Sequence, residues 1–268
     1  MKKSTLILSF IILLIQFGLS AQDQQGPSVA ELSKKLANPA AALISVPFQN
    51  NFDFNVGPFE GFRYGLNLQP VIPFSIGEKW NVISRAIVPF VSQSDVTWKG
   101  NSETGLGDTT LSFYFSPKEA KNGIVWGIGP VLVVPTATDD VLGFDKWGAG
   151  PNALLVKLQG PMTYGAILNH TWSYAGSGMT DINATFFQPF FTYSNKMGGS
   201  FTLASENTQS WDNEIFGGFV GAYYAQIIPF GTQLVQFALG PKVFYGNNPF
   251  NPDWGIRFNV TLLFPNKS

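Results

Sequence analysis

Residues 254 to 264, WGIRFNVTLLF, alternate along their whole length: Trp254, Ile256, Phe258, Val260, Leu262 and Phe264 are apolar, and Gly255, Arg257, Asn259, Thr261 and Leu263 lie between them. A period of two sustained this far reads as a β-strand with one apolar face and one mostly polar face. Which medium each face meets decides the fold.

The same pattern recurs toward the N-terminus. In ISVPFQNNFDFNV (44–56), Ile44, Val46, Phe48, Phe52, Phe54 and Val56 share one face, and Ser45, Gln49, Asn51, Asp53 and Asn55 the other. FRYGLNLQPVIPFSI (62–76) sets Phe62, Tyr64, Leu66, Leu68, Ile72, Phe74 and Ile76 against Arg63, Asn67, Gln69 and Ser75. Further alternating segments lie near 80–92, 106–116, 124–136, 147–158, 162–174, 182–194, 199–207, 214–227, 233–245 and 253–264, which makes twelve expected strands.

A β-sandwich or a lipocalin-like barrel also alternates, with its apolar face inward. Length argues against both, because soluble strands usually run about 5–6 residues and membrane strands need about 9–11. Composition agrees. Only 12% of the residues are charged and 15% are aromatic, whereas globular chains carry about 25% charged residues. The connections alternate too. If the N-terminus is periplasmic, the outer hairpins include the long polar stretches SQSDVTWKGNSET, TATDDVLGFDK and SENTQSWDNE, while the inner ones, such as GEK, QGP and PFGT, are tight. Long outer loops, short inner turns and an even strand number define an outer-membrane barrel. Only a closed sheet satisfies every backbone group in a bilayer, so the aromatic side of 254–264 meets lipid and the side of Arg257 meets the interior.

The chain begins MKKSTLILSFIILLIQFGLSAQ: two lysines, an apolar run from Leu6 to Phe17 and small residues up to Ala21. This reads as a cleaved secretory signal peptide over 1–21, since an anchoring helix needs about 20 apolar residues. The expected organisation is that signal peptide, a periplasmic leader over 22–42, and an all-β, antiparallel transmembrane barrel of about 12 strands over 43–265. Within the leader, VAELSKKLANP (29–39) has helical spacing and predicts a short helix, free in the periplasm or lodged in the inner mouth. The expected location is the bacterial outer membrane, with its lipids as partners.

Several functions are excluded at this level. A net charge of −1 offers no basic patch for nucleic acid. The absence of cysteine removes thiol chemistry and thiolate metal sites. A single histidine removes multi-His metal sites, and no cofactor is expected. His170 and Ser173 point to opposite faces of a strand and cannot share a proton as base and nucleophile, so an enzyme is not expected and His170 reads as a rim residue.

The blocks KLANPAAALISVPFQNNFDFNVGP, LNLQPVIPFSI, WNVISRAIVP, GLGDTTLSFYFSPKE, GIGPVLVVPTATDD, KWGAGPNALLVK, YGAILNHTWSYAG, FFQPFFTYS and DWGIRFNVTLLFP together resemble the MetA-pathway of phenol degradation family of outer-membrane proteins. The resemblance spans nearly all of the chain after the signal peptide. It implies an outer-membrane barrel passing small compounds, aromatic ones included, and carries no catalytic residues to transfer.

Strand parity turns Asp53, Arg63, Arg85, Asp108, Lys157, Lys242 and Arg257 inward as candidate lumen-lining residues, either a selectivity lining or a self-neutralising network that fills the barrel. Trp80 and Trp126 at the inner rim, with Trp147, Trp172 and Trp254 at the outer one, are candidates for interfacial aromatic girdles. Prolines at 47, 70, 73, 89, 130, 135 and 189 predict kinks or gaps in the wall. The leading reading is a channel or facilitator for small, aromatic or hydrophobic solutes; the alternative is a structural or surface-binding barrel without transport.

Overall fold

The computed structural model describes residues 28–264 apart from 42 and 232. The expected signal peptide lies outside the described residues. Fourteen β-segments follow a helix, α1 (Val29–Leu36): β1 (Ile44–Val56), β2 (Gly61–Leu68), β3 (Val71–Ile76), β4 (Trp80–Ser94), β5 (Ser102–Leu106), β6 (Thr109–Pro117), β7 (Ile124–Val134), β8 (Lys146–Gln159), β9 (Met162–Gly176), β10 (Asn183–Ser194), β11 (Gly199–Ser210), β12 (Ile215–Phe230), β13 (Gln233–Gly246) and β14 (Trp254–Phe264). They form a closed antiparallel barrel of twelve wall strands, because β2 with β3, and β5 with β6, each build one interrupted strand. Closure is made by β1 and β14, paired from Ile44↔Phe264 to Phe54↔Trp254. Burying every ladder in this way leaves no open edge for lipid to meet.

The interruptions fall where the sequence removes donors. Pro70 separates β2 from β3, and Gly107–Asp108 separates β5 from β6; β4 runs unbroken between them and bonds both halves of each. Pairing skips from Ser112↔Val131 to Phe115↔Ile128 beside Pro130, and from Ala149↔Trp172 to Asn152↔Asn169 beside Pro151. Pro130 and Pro151 face each other across β7 and β8. A proline cannot donate to the ladder, so paired prolines weaken one stretch of wall on both sides.

Two expectations change. Val56 does not share the outward face of β1: Asn55 takes a positive φ of 55°, the register with β2 shifts there, and Val56 becomes fully buried. Asparagine tolerates the left-handed region that a bulge of this kind requires. The outer hairpins are also shorter than expected. β4 runs to Ser94 and β5 starts at Ser102, while SENTQSWDNE is mostly ladder, closed by a turn at 211–214. Polarity marks where a strand leaves lipid, whereas pairing continues as long as backbone partners remain. Of the three long stretches, the segment 135–145 remains a full loop.

The leader crosses the inner mouth, the end of the barrel that carries α1. Ser28 caps α1 through a capping box with Glu31. Leu32 is fully buried in a cluster with Leu43, Ile227 and Leu263. Further along, Ala40 packs against Ile83, Tyr114 and Val156 on the opposite wall. About two turns of helix and a short run of turns therefore lie across the opening.

Candidate functional site

The lumen has a charged side. On β13 and β14 the inward positions bring Lys242 and Arg257 against β1, where Asn51 and Asp53 are inward, and β11, where Glu206 is inward. Lys242 Nζ lies 2.7 Å from Asp53, and Arg257 Nη1 2.8 Å from Glu206. Asn51 Oδ1 accepts from both cations, from Lys242 Nζ at 3.1 Å and from Arg257 Nε at 2.8 Å. Phe219 underlies both cations, with Phe244 beside Lys242 and Tyr223 beside Arg257. Lys242 is 2% exposed and Arg257 6%. Two cations, two carboxylates and a bridging amide balance one another, which is what burial of charge demands.

Arg63 belongs to a second polar chain nearer the outer end: its Nε donates to Gln93 at 2.9 Å, and Gln93 in turn donates to Glu103 at 3.2 Å. Arg85 stands apart, on the inner half of β4. Its Nη2 donates to Gln69 at 2.7 Å, and among the described residues it forms no ion pair. Asp108, expected to line the lumen, holds the outer loop instead, accepting from the backbone N–H of Ala137 at 3.1 Å and of Phe144 at 2.7 Å.

Lys157 is a correction. Leu154 and Val156 take the inward positions of β8, so Lys157 faces out, opposite Tyr164, and its Nζ donates to the Asn122 carbonyl at 2.7 Å. A lysine near a strand end can stand among lipid-facing residues because its long stem carries the ammonium to the rim. Glu103 and Glu206 went unread in the sequence because both fell in stretches taken for outer hairpins. The parity of β11, which turns Ser200, Thr202 and Ala204 inward with Glu206, was the signal available.

The opposite side of the lumen is apolar. Ile83, Tyr114, Val125, Leu154, Val156 and Ile167 form a buried cluster on β4 and β6–β9, flanked by Phe186 and Phe190 of β10. Between this side, the leader and the underside of the ion network remains a cavity of about 300 Å³. Its polar lining includes Gln49, Gln69, Gln188 and Asn259.

Outside, Trp80 and Trp126 meet edge to face at 5.9 Å near the inner rim, and Trp254 stacks on Phe54 at 4.4 Å near the outer one. Trp147 and Trp172 are outward and half exposed. His170 also faces out, its Nδ1 2.7 Å from Thr185 Oγ1, which accepts a further bond from Trp211 Nε1 at 2.9 Å. Ser173 takes the other parity and donates to Asp181 at 3.0 Å.

A closed ladder, a broad outward apolar surface and a lumen with a charged side define an outer-membrane β-barrel. The chain belongs to the family described as "Putative MetA-pathway of phenol degradation", which it matches over residues 34–265. No curated protein matches the sequence. Among solved structures, an outer membrane channel from Pseudomonas putida F1 superposes with a TM-score of 0.68 at 14% identity, covering 83% of this chain and 96% of that one. The NanC porin superposes with a TM-score of 0.47 at 10% identity, over 83% of this chain and 100% of its own. At 14% identity the likeness to the Pseudomonas putida channel is one of fold.

Proposed function

We propose that the protein is a channel through which small solutes, aromatic and hydrophobic ones among them, cross the outer membrane passively. The observation that carries this reading is the cavity of about 300 Å³ inside the barrel, bounded by the ion network and the leader. Side chains just fill a barrel of about eight strands, and the twelve strands here enclose more, which leaves room for a path. In this reading Asp53, Arg63, Arg85, Lys242 and Arg257 line the path. Trp80, Trp126, Trp147, Trp172 and Trp254 set the barrel's depth among outer-membrane lipids. No catalytic role is assigned: His170 faces out and is held by Thr185.

The leader across the inner mouth favours one refinement. Passage there requires α1 and the following residues to shift, so flux is slower than through an open porin.

The test is influx into liposomes carrying the folded protein, with phenol, a hexose and an amino acid as probes. Protein-dependent influx of phenol above empty liposomes is the expected result. No influx of any probe, from protein shown to be folded, overturns the channel and leaves a structural or surface-binding barrel.

A further inference from the structure

The cavity inside the barrel has a charge bias that the rest of the lumen lacks. Its charged lining residues are Lys35 of α1, Arg85 and Arg257, and among the described residues no aspartate or glutamate joins them. Arg257 is already matched by Glu206. Lys35 and Arg85 form no ion pair among the described residues, so the lining is biased toward positive charge.

Arg85 is also incompletely bonded. A guanidinium has five N–H donors in a fork that fits a carboxylate edge-on. Among the described residues only the Nη2 bond to Gln69 draws on that fork. A second donor is near: Ser33 of α1 lines the same cavity, and its hydroxyl is buried without a partner. Buried polar groups in folded proteins are nearly always satisfied, so the Ser33 hydroxyl points to a hydrogen-bonding guest in this cavity, where the half-buried Arg85 fork has donors to spare.

Register places the apolar surface beside them. Arg85 pairs with Ser112 on β6, and Ile83, the next inward residue of β4, pairs with Tyr114. Ile83 and Tyr114 are themselves buried in a cluster with Ala40, so the apolar surface left partly open in the same cavity is that of Val71, the partner of Arg85 on β3, and of Phe190. The volume stands at the small end of ligand pockets, which run about 300–1,000 Å³. It suits a molecule with one ring.

We infer that the cavity is a binding site for a monocyclic aromatic carboxylate, its carboxylate on Arg85 and its ring against Val71 and Phe190. The inference rests on the channel reading for its role in transport, but the site is defined by its own contacts. A bare anion is bound less well because it leaves the apolar wall uncovered. A neutral aromatic alcohol is bound less well because it leaves the guanidinium fork unmatched.

The test is calorimetric titration of the full, folded protein in detergent at pH 7 with benzoate, benzyl alcohol and acetate. Benzoate is expected to bind more tightly than either comparator. Arg85→Gln is expected to weaken benzoate about 10- to 100-fold, the loss that goes with one charge-assisted hydrogen bond. Benzyl alcohol should be unchanged, and Arg85→Lys should restore part of the difference. Equal binding of benzoate and benzyl alcohol, equal binding of benzoate and acetate, or an unaltered benzoate affinity in Arg85→Gln overturns the inference. If Arg85→Gln does not fold, the three ligands on the unaltered protein decide. Liposome influx separates the two readings: influx of phenol without benzoate binding keeps the channel and removes the site, whereas benzoate binding without any influx keeps the site and removes the channel.

Discussion

The two sides of the lumen solve the same problem with different chemistry. On the side of β1 and β11–β14, four charges and Asn51 are locked into one network. On the side of β4 and β6–β9, Ile83, Leu154, Val156 and Ile167 interlock without a polar bond between their side chains. Their failure modes differ. An apolar contact loses energy roughly in proportion to the atoms removed, but a buried charge that loses its partner is left with its whole desolvation cost. The charged side is therefore brittle and the apolar side graded.

The largest effect should come from breaking the network on one side only. Arg257→Met leaves Glu206 without its cation and Asn51 with Lys242 alone, and should cost about 3–5 kcal/mol in urea unfolding of the reconstituted protein followed by tryptophan fluorescence. The paired replacement Asp53→Leu with Lys242→Met sharpens the comparison: with both charges gone it should be near neutral, far below the cost of Lys242→Met alone. Additive losses in that pair would mean that the two residues do not act as a unit.

On the apolar side, Ile167→Val removes one methylene from a buried position and should cost about 0.5–1.5 kcal/mol in the same assay. A cost equal to that of Arg257→Met would erase the distinction between the two sides. Smaller still is Lys157→Gln, on the outward face, expected within about 0.5 kcal/mol. A large loss there would return Lys157 to the interior.

The smallest effect belongs to the outer rim, where Asp181 bonds Lys146 at 2.9 Å and also accepts from Ser173. The hydrogen bond from Lys146, then that from Ser173, and the lysine's charge hold its carboxyl below the usual carboxylate range. A depressed folded pKa means that this contact contributes at neutral pH and is lost as pH falls through that lowered value. The pair is exposed and screened, so acidification should loosen the 177–182 connection without unfolding the barrel, seen as faster amide exchange there. Asp181→Asn should abolish that pH dependence.

Strand number, parity and the identity of the lipid-facing side were legible in the residues, because a period of two states which side chains share a face without reference to any neighbour. Arg257, Lys242 and Asp53 were readable as inward on that basis alone. Lys157 was not, since KWGAGPNALLVK is apolar at both parities and neither face declares itself; only the neighbouring positions of β7 and β9 assign it. Glu206 was missed because a polar ladder above the membrane looks in sequence like a loop. The leader showed its helix through Ser28, Glu31 and the spacing of Val29, Leu32 and Leu36, but not its resting place. What the residues determined alone was local: alternation, capping and the sum of charge. Which charges meet, what stands in the mouth and where a cavity survives depended on barrel closure, which brings β1 to β14 and residues 51 and 257 within one hydrogen bond.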